Sequence, residues 1–116
     1  MTIKVLNQEF EFDIFDLDAM ERYENAHKNY VAAMTKARGA DVSALRESCN
    51  AIADFLDSVL GEGAREKLFG GKTNYRQYLQ AGYDLIEGVG AQREEFQREQ
   101  ADRAARIAKY IPNKRK

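Results

Sequence analysis

Ile3 and Val5 alternate with Thr2 and Lys4, and Phe10 and Phe12 alternate with Glu9 and Glu11. A period of two places Ile3, Val5, Phe10 and Phe12 on one face of a strand pair. Leu6-Asn7-Gln8 lies between the two runs, and Asn7 can take the turn conformation, so the first twelve residues predict a β-hairpin. A lone two-stranded hairpin is marginal in water, so its apolar face must rest on a helical layer.

The period then changes. Met20, Tyr23, His27, Tyr30 and Met34 recur at three and four, the stripe of an amphipathic helix. Asp18 is its expected N-cap, with Glu21 completing a variant capping box, and Arg38-Gly39 its expected end. A second helix begins near Asp41, carrying Val42, Leu45, Cys49, Ile52, Leu56 and Val59 on one side and Arg46, Asn50, Asp54 and Asp57 on the other. Gly61 is the expected residue just past its end. This stripe is the most apolar of the chain, which predicts that the second helix is buried on both flanks.

Ala64 to Phe69 predicts a short helix closed by Gly70-Gly71, and Asn74 with Gln77 starts a third main helix. Its predicted stripe is Tyr75, Tyr78, Leu79, Gly82, Ile86 and Val89. Gly88 and Gly90 each cost about 1 kcal/mol relative to Ala inside a helix, which predicts a kink or the end of the packed segment. After Ala91 the chain is rich in Gln, Glu, Arg and Ala, with Phe96, Ile107, Tyr110 and Ile111 as its large apolar residues before Pro112. The expected fold is mainly α: a small helical bundle with a short N-terminal β-hairpin and a long C-terminal helix. The expected division is a bundle at 1–90 and a charged helical extension at 91–116. That extension should hinge at the glycines and project or sample several orientations in the free monomer.

Composition supports one folded core. Hydrophobic residues make up 44% of the 116 residues and six Tyr and six Phe are spread through the polar positions, which excludes wholesale disorder. The net charge of −1 hides an asymmetry. From Glu9 to Glu24 the acids Glu9, Glu11, Asp13, Asp16, Asp18, Glu21 and Glu24 stand against Arg22 alone, whereas from Arg103 to Lys116 the bases Arg103, Arg106, Lys109, Lys114, Arg115 and Lys116 stand without an acid. A pI near 5.9 argues against a dedicated nucleic-acid binder. The single Cys49 has no partner for an internal disulfide, and no apolar run approaches the length of a membrane span. A soluble protein of the reducing cytosol is the expectation.

Candidate chemistry is sparse. Gly71-Lys72-Thr73 has the ending of a phosphate-binding loop, but position 66 is Glu where that motif needs Gly, and helix precedes it where the motif needs a strand. His27 sits on a helical stripe without a cluster of further ligands, which reads as a histidine half-buried at the core's edge. Cys49 sits among apolar neighbours and reads as a small core residue. The acids from Asp13 to Asp18 lack the glycine and oxygen spacing of a calcium loop, and one of them is needed as a cap. The tyrosines read as core or core-rim residues. No catalytic constellation, metal site or cofactor site emerges, so the expectation is a binding protein and not an enzyme.

The tail is the remaining candidate. It would dock on a protein partner by ordering as a helix, with Phe96, Ile107 and Ile111 as apolar anchors and Arg103, Arg106 and Lys109 around them. A different class of function, a small mobile-element protein binding nucleic acid through the same basic tail, would show binding that weakens steeply with salt.

Two stretches also carry a resemblance. One runs from Ile3-Lys4-Val5 through Glu9-Phe10-Glu11-Phe12-Asp13 into Met20-Glu21-Arg22-Tyr23-Glu24. The other is Val59-Leu60-Gly61-Glu62-Gly63 followed by Lys67-Leu68-Phe69-Gly70 and a Tyr/Leu-rich helix. Together, over roughly residues 1 to 90, they resemble the tail assembly chaperone class encoded by long-tailed phages and prophages of Gram-positive bacteria. The resemblance implies a mainly helical, sometimes self-associating helper. Such a protein binds the tape measure protein and keeps it soluble until tail tube subunits assemble around it. The tail after Ala91 lies outside the part that carries the resemblance.

Overall fold

The computed structural model describes residues 1–110, with the side chain of Tyr110 excepted. Two strands, β1 (Thr2–Val5) and β2 (Gln8–Glu11), are followed by α1 (Leu17–Lys36), α2 (Val42–Leu60), the short α3 (Ala64–Phe69) and α4 (Tyr75–Tyr110). The fold is therefore mainly α, with an antiparallel N-terminal hairpin and a long last helix. The strands pair Ile3 with Phe10 and Val5 with Gln8 across a two-residue turn. Leu6 and Asn7 both take positive φ there, 48° and 68°. Ile3, Val5, Phe10 and Phe12 all turn inward and are buried, as the alternation requires.

α1 is capped two residues earlier than the capping-box pattern suggests. The Asp16 carboxylate accepts from the backbone N–H groups of Asp18 (3.0 Å) and Ala19 (3.2 Å). Asp16 is extended and Asp18 already lies in the first turn, where its charge favours the helix dipole. Asp41 caps α2 by accepting from Ala44 N–H at 2.8 Å, and Gly61 ends it with φ 107°. Asn74 opens α4 by accepting from Gln77 N–H at 3.1 Å.

α2 is the middle of the bundle, packed on α1 along one side and on α4 along the other. Its buried surface is wider than a single stripe: Ile52, Leu56, Cys49 and Val59 are joined by Ala44, Ser48, Ala53 and Phe55, while Val42 at the open end is 68% exposed. Tyr30 of α1 stacks on Phe55 with ring centroids 4.8 Å apart. α3 is held to the end of the bundle by Phe69, whose ring stacks on Tyr78 at 3.8 Å. Arg65 adds a latch, its Nε donating to the Tyr78 hydroxyl at 3.1 Å and its backbone N–H to Asp57 at 3.0 Å.

α4 corrects the expectation of a kink or a helix end at the glycines: it runs as one helix of 36 residues through Gly88 and Gly90. Gly88 is small for a packing reason. A Cβ built there would lie 2.4 Å from Ile3 Cγ2, so the missing side chain lets β1 rest directly on the helix. Gly90 has no atom within 4 Å of such a Cβ. The two glycines should consequently respond in opposite directions. Gly90→Ala is expected to raise stability by about 0.5–1 kcal/mol through helix propensity. Gly88→Ala is expected to lower it, because overpacking against a β-branched strand residue costs about 1–3 kcal/mol and outweighs the same gain. Urea unfolding of the two variants checks this, and equal shifts would remove the close approach as the reason for Gly88.

The buried face of α4 is also turned from the expected stripe. Tyr78, Ala81, Leu85 and Val89 are buried, whereas Leu79 is 37% exposed and Ile86 only half-buried.

Candidate protein-interaction surface

Two polar residues of α4 fix the hairpin in place. Asp84 accepts from Leu6 N–H at 3.0 Å, which satisfies the tip of the turn. Gln92, buried at 7% exposure, does more. Its Oε1 accepts from Ile14 N–H at 3.2 Å, and its Nε2 donates to Phe12 O at 3.0 Å and Thr2 O at 3.5 Å. A buried backbone group without a partner is costly, so one amide side chain closes the chain's exit from β2 against the helix. Packing continues past the expected boundary at residue 90 and ends near Phe96. That ring is half-buried and meets Phe15 edge-on at 4.9 Å. Beside it Arg93 pairs with Glu24 of α1 at 3.4 Å, an exposed contact that contributes little.

Beyond Phe96 the helix leaves the bundle. Every residue from Gln97 to Lys109 is exposed. The molecule measures 68 × 27 × 22 Å with a radius of gyration of 18.7 Å, against about 13 Å for a compact chain of this length. The projecting helix accounts for the difference.

The proposed anchors are thus divided. Phe96 belongs to the edge of the bundle, while Arg103, Arg106, Ile107 and Lys109 stand on the free helix; Ile111 lies outside the described residues. Ile107, 55% exposed, is the one large apolar side chain described on the free part. It lies eleven residues beyond Phe96, three helical turns plus about 20°, so both share the face that buries Tyr78, Leu85 and Val89 lower down. Arg103 lies on that face as well. Arg106 lies to one side and pairs with Asp102 one turn earlier at 3.0 Å.

Two residues of this surface carry no helical period and escape a stripe-based reading. Phe15 and Leu17 are 51% and 78% exposed at the start of α1 and flank Asp16. Leu17, Met20, Glu21, Glu24, Arg93 and Phe96 line a shallow groove between α1 and α4 at the root of the projecting helix. The visible signal is a pair of large apolar residues set into an acidic loop with no alternation to bury them.

The other candidates are structural. His27 is half-buried and stacked on Tyr23 at 5.7 Å. Cys49 is 2% exposed, and burial pushes its thiol up against the lowering pull of Arg65 and Arg46, the reverse of an activated nucleophile. Burial likewise raises Tyr23 and Tyr30. Lys72 lies in the turn after α3, where Gly70 and Gly71 take positive φ. Among the described residues no group of three or more His, Cys, Asp or Glu side chains could hold a metal ion, and no helix is long and apolar enough to cross a membrane.

These features define a hairpin-braced helical bundle whose last helix extends well past its own core. The chain belongs to a family of unknown function, DUF6673, which it matches over residues 6–116. That match covers the projecting helix along with the bundle. Neither the curated proteins nor the solved structures include a match.

Proposed function

We propose that this is a non-enzymatic tail assembly chaperone of a long-tailed phage or prophage, which binds the tape measure protein through the free part of α4. The observation that supports this reading is the helix from Gln97 to Lys109, exposed on all sides. Most helical stability in proteins comes from packing an apolar face on another element, so this unpacked segment gains by packing on another chain. Ile107 offers the apolar contact, and Arg103, Arg106 and Lys109 surround it with charge. The sequence resemblance over residues 1 to 90 supplies the identity of the partner. It acts in the host cytoplasm, where the tape measure chain is made.

Co-expression with the tape measure protein of the same genome is the test. The expected result is a soluble complex in which Ile107→Asp lowers tape measure recovery at least tenfold while the bundle stays folded. A tape measure protein that is equally insoluble with and without this chain would overturn the proposal.

Nucleic-acid binding through the tail draws less support. Arg103, Arg106 and Lys109 are exposed, but Glu94, Glu95, Glu99 and Asp102 precede them on the same helix. Titration against DNA and RNA at two salt concentrations separates the readings, since phosphate-driven binding falls steeply as salt rises.

A further inference from the structure

The free helix carries its charges in two halves. From Glu94 to Asp102 there are Glu94, Glu95, Glu99 and Asp102 with Arg98 as the base; from Arg103 to Lys109 there are Arg103, Arg106 and Lys109 and no acid. Two such helices side by side in parallel would oppose like charges. Antiparallel, each basic half meets the other's acidic half.

The apolar positions select the same arrangement. Ile107 lies on the face of Phe96, about 16 Å further along the axis. An antiparallel neighbour that sets its Ile107 against this chain's Phe96 and Phe15 therefore receives this chain's Ile107 at its own Phe96 and Phe15. The two-fold axis then passes between Ala101 and Asp102, and Gln100 faces Arg103 of the neighbour. On one flank Glu95 and Glu99 come opposite the neighbour's Arg106 and Arg103, because antiparallel helices place like flanks together. The other flank carries Gln97, Ala104 and Ala108, none of them charged, so no repulsion arises there.

We propose that the projecting part of α4 is the interface of an antiparallel homodimer, with Ile107 of each copy seated on the exposed Phe15–Phe96 edge of the other. The interface is isologous, as a two-fold pair requires. It covers Phe15, Leu17 and Ile107, which the single chain leaves exposed at 51%, 78% and 55%. The second copy covers the same face of α4 that is proposed above for the tape measure protein, so the dimer is the resting form and the two partners exclude each other at Ile107; the pairing itself is measured on the purified protein alone.

Sedimentation equilibrium tests it on the full chain. The protein should be dimeric, and Ile107→Asp should shift it to monomer. The double variants Glu95→Lys/Glu99→Lys and Arg103→Glu/Arg106→Glu should each be monomeric, since like charges then face each other at every contact. Mixed in equal amounts, the two should form a one-to-one heterodimer, because each then presents the charge that the other needs. All the substitutions lie outside the core, and circular dichroism of the variants verifies that the bundle is intact. A wild-type protein that stays monomeric up to millimolar concentration overturns the proposal. So does a dimer that survives both charge reversals, which would place the contact on another face, or a mixture that remains monomeric. A heterodimer formed only by the mixture supports it.

Discussion

Leu56→Ala is expected to lower the free energy of unfolding by about 2–5 kcal/mol, the cost of emptying a core position that cannot fully collapse. Leu56 is fully buried in the last third of α2, the helix that packs on both α1 and α4. A void there loosens both helix contacts together. For a domain of this size the loss is a large share of the total stability, which is of order 5–15 kcal/mol. Urea or guanidinium unfolding measures it directly. A loss below about 0.5 kcal/mol, the range of ordinary surface changes, would remove α2 from the centre of the fold.

Gln92→Leu is expected to cost about 2–4 kcal/mol, although the new side chain has a similar volume and is apolar. The cost comes from the groups left behind. Ile14 N–H loses its acceptor and Phe12 O its donor, and a buried polar group without a partner costs about 1–3 kcal/mol. The effect should be local before it is global. Amide exchange should speed up in β1, β2 and at Ile14 while the amides of α2 keep their protection. Unchanged exchange in the hairpin would mean that Ile14 and Phe12 are satisfied without this side chain.

The elements were readable from the chain because each is marked by its own physics. Alternation set the hairpin, and Gly61 and Gly70 closed α2 and α3 where the pattern placed them. The misreadings share one cause: the relevant partner is distant in sequence. Gly88 has the propensity of a breaker, and only the presence of Ile3 against it explains why a continuous helix carries a glycine there. Gln92 reads as one more polar residue of a charged tail until the carbonyl of Phe12 is seen beside it. The N-cap moved from Asp18 to Asp16 because several carboxylates in one short loop satisfy the same local rule. Of the proposed interaction surface, the exposure of Arg103, Arg106, Ile107 and Lys109 was legible by composition. Phe15 and Leu17 were not, since no periodicity distinguishes an exposed apolar pair from a buried one.

The lock between Gln92 and the hairpin also bears on the order in which the molecule assembles. Ile14 and Gln92, like Leu6 and Asp84, are 78 positions apart in the chain. Closing a loop of that length carries an entropic penalty of about 4 kcal/mol before any contact across it is gained. α1 and α2 are joined by a short connection and meet without that penalty. They are thus placed to form early, while the hairpin, with Ile3, Val5, Phe10 and Phe12 still facing water, waits for the distant helix that supplies its platform. The hairpin is synthesised before the helix it rests on and settles after it, and during that interval its four apolar side chains are open to a foreign surface.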